Sequence, residues 1–128
     1  MDGVLCGDWP GADPDDSSDN YARWLETVTP RIRPILKLRG IVTGRVGTFR
    51  PQTEAWLARH GVQYGRLAMP FADIASRRGQ DAGAAKARIY VDDRDATLFV
   101  ESDARQARRI FDLTRRPVLC TDTLEMLQ

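Results

Sequence analysis

Four places in this sequence hold side chains able to handle a phosphoryl group: Asp2-Gly3, Thr43-Gly44-Arg45, Lys86 and Glu101-Ser102-Asp103. Carboxylate oxygens suit a hard divalent cation such as Mg²⁺. An ammonium or guanidinium suits an anionic substrate. A hydroxyl beside a glycine can approach phosphoryl oxygens closely. Phosphoryl transfer uses this set, with cations neutralising the oxygens, small donors placing them and a carboxyl group moving the proton. Of the 19 basic residues only Lys37 and Lys86 are lysines, which sets Lys86 apart from an arginine-dominated background.

These residues lie far apart in the chain, so a scaffold must gather them. Met1–Cys6 reads as the end of a strand running into a loop. Residues 7–19 are rich in Gly, Pro, Asp and Ser and read as a surface loop. Asp19 or Asn20 can cap a short helix to about Val28, which Pro30 and Pro34 end. Ile35–Val42 reads as a buried strand. Pro51, Glu54 and Gly61 mark the start, first turn and stop of the next helix. Tyr64–Met69 reads as a strand, 70–80 as a polar loop, and Ala82 to about Tyr90 as a helix carrying Lys86. The strand Ala96–Val100, the amphipathic helix Ala104 to about Leu113 and the strand Pro117–Cys120 follow, with a short helix closing the chain. Strands alternating with helices predict an α/β domain with a mainly parallel sheet. Ligands of such folds collect at the carboxyl ends of the strands.

Composition sets outer bounds. The 128 residues, 14.4 kDa and 42% hydrophobic content fit a single domain over 1–128. No apolar run is long enough to span a bilayer, and the first thirty residues do not form a signal peptide. Cys6 and Cys120 lack metal-ligand spacing, so reduced thiols and a cytoplasmic location are expected, with no membrane partner. The net charge of +1 hides an asymmetry: residues 1–26 hold seven acids and one base, a net −6, so the remainder is +7. The arginines are scattered rather than set in a stripe with aromatics, which weighs against nucleic acid.

The stretches MDGVLC, GIVTGR, AAKARIY and LFVESD, in this order, resemble the four motifs of the haloacid dehalogenase-like hydrolases. TEAWLARHGV and LFVESDARQA also resemble a small bacterial branch, some of whose members are associated with phosphoribosyltransferases. The resemblance implies a Rossmann-like, mainly parallel sheet flanked by helices. It also implies Mg²⁺-dependent hydrolysis of a phosphorylated small molecule through an aspartyl-phosphate. Carried over by motif, Asp2 would be the general acid/base, its backbone carbonyl helping to hold Mg²⁺. Thr43 would bond the phosphoryl oxygens, with Gly44 and Arg45 beside it on the substrate. Lys86 would neutralise the nucleophile and the transferred group, and Glu101 and Asp103 would anchor Mg²⁺. LFVESD departs from the paired aspartates more usual there. The family's nucleophile stands two residues before the acid/base, a position before Met1, and the apolar strand leading to it is also missing. The resemblance therefore implies either an N-terminally truncated domain lacking its first strand or a degenerate, non-catalytic relative. Residues 7–34 are the counterpart of a short cap-like insertion.

Each residue also has a plainer reading. Asp2 suits a turn before Gly3, and Thr43 suits a strand-to-loop turn. Arg45 suits a surface salt bridge and Lys86 a solvated helix face. Glu101, Ser102 and Asp103 suit the cap of the following helix. His60 before Gly61 suits a helix C-terminus, and Trp9, Trp24 and Trp56 suit packing. An alternative function follows: a non-catalytic module that binds a phosphorylated ligand or partners a phosphoribosyltransferase.

Overall fold

Parallel strand pairing organises both parts of the structure, a computed structural model that describes residues 1–11 and 19–128. The architecture is mixed α/β, with small parallel and mixed sheets flanked by helices. The chain divides into two compact units, Met1–Gln80 and Asp81–Gln128, each with its own apolar core. Among the described residues no helix is long and apolar enough to cross a membrane. Residues 12–18 of the cap-like stretch lie outside the described residues.

In the first unit, β1 (Leu38–Val42) pairs in parallel with β2 (Tyr64–Ala68), in register from Leu38 opposite Tyr64 to Val42 opposite Ala68. Gly65 is required here, because a Cβ at that position would come within 2.7 Å of the Arg39 carbonyl oxygen. The helix α2 (Arg50–Arg59) connects the two strands. Pro51 sits in its first turn, where no hydrogen bond is lost, and the chain leaves it through Gly61 at φ +66°. Trp56 and Leu57 bury its inner side against Ile41 and Leu67 of the strands and Leu5 and Cys6 of the N-terminal segment. The Trp56 indole N–H donates to the Val28 carbonyl at 2.7 Å, tying α2 to the end of α1 (Asp19–Thr27).

Three expectations change in this unit. Residues 1–6 form a tight turn rather than a strand end: the Leu5 N–H bonds the Met1 carbonyl at 2.8 Å, and Gly3 adopts φ +74°. The strand begins at Leu38 instead of Ile35, because pairing starts where the Leu38 N–H meets the Gln63 carbonyl. Ile35 and Leu36 precede it in a bend and are 97% and 77% exposed. The polar loop 70–80 contains a one-turn helix, α3 (Ile74–Arg77), started by a reciprocal Asp73–Ser76 capping box.

In the second unit, α4 (Ala82–Asp92) leads to β3 (Phe99–Glu101), α5 (Ala104–Thr114), β4 (Val118–Cys120) and β5 (Glu125–Leu127). β3 and β4 are parallel, and β5 runs antiparallel to β4. Asp81 caps α4 through the Ala84 N–H and also accepts from Arg109 of α5, both at 2.9 Å. The core joins Ala87 and Tyr90 of α4 to Ala107 and Ile110 of α5 and Val118 of β4. The strand expected at Ala96–Val100 is shorter and later. The Asp93 and Ala96 carbonyls are taken instead by the Arg116 guanidinium, which lies 4.0 Å over the Tyr90 ring. The closing segment is a strand, not a helix. A turn ending at Leu124 (φ +57°) reverses the chain and sets Leu127 opposite Val118.

Candidate functional site

The first unit gathers Asp2, Cys6, Thr43, Arg45 and Thr53. Thr43 directly follows β1 and is 2% exposed. Its hydroxyl oxygen accepts the Arg45 backbone N–H at 3.1 Å, a local bond that turns the chain out of the strand. That turn sends the Arg45 side chain inward, where it is 1% exposed. Its Nη2 and Nε donate to the two carboxylate oxygens of Asp2, the Nε contact at 3.4 Å. Its Nη1 donates to the Thr53 Oγ1 at 2.8 Å, and Thr53 donates onward at 2.7 Å to the carbonyl of Phe49, the N-cap residue of α2. The guanidinium fork thus spans a carboxylate and a helix hydroxyl. Burial, the largest single influence, works to lower the Arg45 pKa, but the Asp2 charge, Tyr21, the hydrogen bond to Asp2 and Cys6 together outweigh it and hold the group above its ordinary value. Gly44 has open space at its Cβ position, and its carbonyl accepts from Arg77 at 3.4 Å.

Cys6 completes this cluster. Its Sγ lies 3.3 Å from Asp2 Oδ1 and 3.9 Å from Arg45 Nη2. Burial first, then the Asp2 charge, push the thiol up to about 12, against the lowering effect of Arg45. The sulfur is therefore a protonated donor to Asp2 and not a nucleophile at neutral pH.

The second unit gathers Lys86, Glu101, Ser102 and Asp103. Lys86 extends from the inner side of α4 to place its Nζ 2.6 Å from Glu101 Oε2, with side-chain exposures of 10% and 6%. Glu101 ends β3. Its Oε1 accepts the Ser102 and Asp103 backbone N–H groups at 2.8 and 3.3 Å. Asp103 is the N-cap of α5, accepting the Arg105 and Gln106 N–H groups at 2.8 and 2.9 Å. Those bonds, the Gln106 one foremost, hold its carboxyl below the ordinary range. The charges of Arg105 and Lys86 add to that effect.

Mg²⁺ takes hard oxygens and often needs only one or two protein carboxylates, with water and substrate supplying the rest. Glu101 and Asp103 match that chemistry and number, so the donor set fits the ion. Among the described residues no group of three or more His, Cys, Asp or Glu side chains is positioned as a metal cage.

The sequence had marked Asp2, Thr43, Gly44, Arg45, Lys86, Glu101 and Asp103. Asp2 meets the Arg45 guanidinium while Thr43 bonds the Arg45 backbone N–H, and Lys86, Glu101 and Asp103 meet at the end of β3. Arg45 does form a salt bridge, but a buried one. Lys86 is likewise buried rather than solvated, and Asp103 is a helix cap. The sequence reading missed Thr53 as the support for Arg45, and its signal was weak: a threonine one turn into a proline-started helix. Compared with known proteins, the chain matches no family model, no curated protein and no solved structure.

Proposed function

We propose that the chain belongs to a Mg²⁺-dependent phosphoric ester hydrolase of the haloacid dehalogenase type, with a Rossmann-like fold, acting on a phosphorylated small molecule. The observation that carries this reading is the buried Lys86–Glu101 pair at the carboxyl end of β3, where parallel α/β sheets hold their ligands. Thr43 stands at the equivalent place after β1. The resemblance assigns proton transfer to Asp2, contact with phosphoryl oxygens to the Thr43 hydroxyl and Gly44, and neutralisation of the transferred group to Lys86. Glu101 and Asp103 hold Mg²⁺, which when bound neutralises phosphoryl oxygens. Arg45 contributes by holding Asp2 rather than by touching substrate, since its guanidinium is buried between Asp2 and Thr53. That same closure favours a second reading, a non-catalytic module that binds a phosphorylated ligand or partners a phosphoribosyltransferase.

The test is an N-terminal extension that supplies an apolar strand ending in an Asp two residues before Asp2. With Mg²⁺ the extended chain should hydrolyse p-nitrophenyl phosphate, and Asp2→Asn and Lys86→Ala should each abolish turnover. Turnover by the extended chain that survives both substitutions would overturn the assignment. An inactive extended chain that still binds inorganic phosphate would select the non-catalytic module.

A further inference from the structure

Between Glu26 and Glu54 the chain holds six basic residues and no acid. The start of this stretch forms the bend before β1, which exposes two adjacent large aliphatic side chains, Ile35 at 97% and Leu36 at 77%. Arg33 and Lys37 flank them and are exposed as well. Folding leaves such a pair in water only at a cost in apolar surface, and contiguous exposed apolar surface edged by charge marks interaction sites.

The basic character extends onto the end of α2. Slight burial and the charges of Arg33 and Arg59 together hold the His60 imidazole below its ordinary value. Arg33 of the bend segment and Arg59 of the helix end thus both act on His60. Glu26 sits at the border of this basic group, since Arg59 donates to the Glu26 backbone carbonyl.

We propose that this surface docks a protein segment in which carboxylates alternate with aliphatic side chains, Ile35 and Leu36 filling apolar contacts while Arg33, Lys37 and Arg59 meet the carboxylates. Charge complementarity selects an acidic partner. Arginine dominates the patch, and its planar fork matches carboxylates in the two-point contacts common at protein interfaces. A broad anionic surface such as a bilayer is disfavoured. It would also face Glu26 at the border, whereas a peptide can match the basic residues locally. The inference does not depend on phosphatase activity.

The test uses the whole chain and a fluorescein-labelled synthetic peptide of repeating Glu-Glu-Leu. Binding should be seen by anisotropy, with amide shift changes confined to residues 31–37 and 59–60. Ile35→Ser/Leu36→Ser and Arg33→Gln/Lys37→Gln should each weaken it at least about tenfold. Both double variants should keep the wild-type melting temperature, because the changed side chains are exposed. A peptide with Gly for Leu, or with Gln for Glu, should bind at least about tenfold more weakly than the parent. Absence of binding, equal binding of the Gly peptide, or full binding by either double variant would overturn the proposal. So would capture by phosphatidylserine–phosphatidylcholine vesicles that both double variants lose, which would assign the surface to lipid.

Discussion

Each unit buries an ion pair, and the two are built differently. Arg45 is sealed while its partner Asp2 remains 27% exposed, and the guanidinium is braced on its other side by Thr53. Lys86 and Glu101 are both sealed, and the second oxygen of Glu101 is filled by backbone N–H groups of the following turn. In the first pair the cation is the fixed part and the carboxylate reaches solvent. In the second, the carboxylate is fixed by the backbone and the lysine is a single point charge brought to it. A buried pair contributes little net stability, yet removing one partner leaves an uncompensated charge. The fully sealed pair should therefore be the more fragile to single substitution, and the half-open pair the better suited to proton transfer.

The largest effect is expected from Lys86→Met, which leaves the Glu101 carboxylate buried without its cation. The loss should be about 3–5 kcal/mol in urea unfolding. Adding Glu101→Gln should restore most of it, because the amide oxygen still accepts the Ser102 N–H and no net charge remains buried. A double variant as unstable as Lys86→Met alone would show that the lysine acts through its packing and not its charge.

Arg45→Met should cost less, about 2–3 kcal/mol, since Asp2 can turn to water while Thr53 keeps its bond to Phe49. Arg45→Lys should recover only part, because one ammonium cannot reach Asp2 and Thr53 with a planar fork. Equal losses for Lys86→Met and Arg45→Met would erase the contrast between a sealed and a half-open pair.

Much of this was legible in the sequence where local chemistry decides structure. Pro51 and Gly61 bracketed α2, and Tyr64–Met69 read as a strand from its own residues, one residue longer than the strand Tyr64–Ala68 that forms. Asp103 was one of three cap candidates beside its proposed metal role, with Glu101 and Ser102, because such a side chain bonds the next turn and needs nothing distant. The errors came where distant partners decide. Ile35 and Leu36 looked like strand, but β2 begins only at Tyr64 and offers them no pairing. Ala96 looked like strand until Arg116, twenty residues on, took its carbonyl. The closing strand depends on the Val118–Leu127 register, which no short window reveals. The site divides in the same way. Residue types picked out Asp2, Arg45, Lys86 and Glu101, but only the fold paired them and brought Thr53 under the guanidinium.

Thr53→Val keeps the shape and removes the bridge between Arg45 and α2. One buried guanidinium hydrogen then lacks an acceptor, at a cost of about 1–2 kcal/mol. Thr53→Ser should be close to neutral. A Val variant as stable as wild type would mean that Asp2 alone positions Arg45.

Asp103→Ala should have the smallest effect, about 1 kcal/mol, the usual worth of a helix N-cap. Its pH dependence separates this carboxylate from the two buried pairs. The Gln106 and Arg105 N–H groups and the nearby cations hold the Asp103 carboxyl below its ordinary range in the folded chain. The unfolded chain therefore takes up a proton first as the pH falls. The cap's stabilisation is complete above the ordinary aspartate value and is lost as the pH drops through the lowered folded value. Asp103→Asn keeps an oxygen acceptor for the helix N–H groups and removes the charge. It should match wild type closely near neutral pH and show a flatter stability profile on the acid side of the ordinary aspartate value. Melting curves across that range decide the matter. A parallel acid-side decline in Asp103→Asn and wild type would assign the acid sensitivity of this unit to a carboxylate other than the α5 cap.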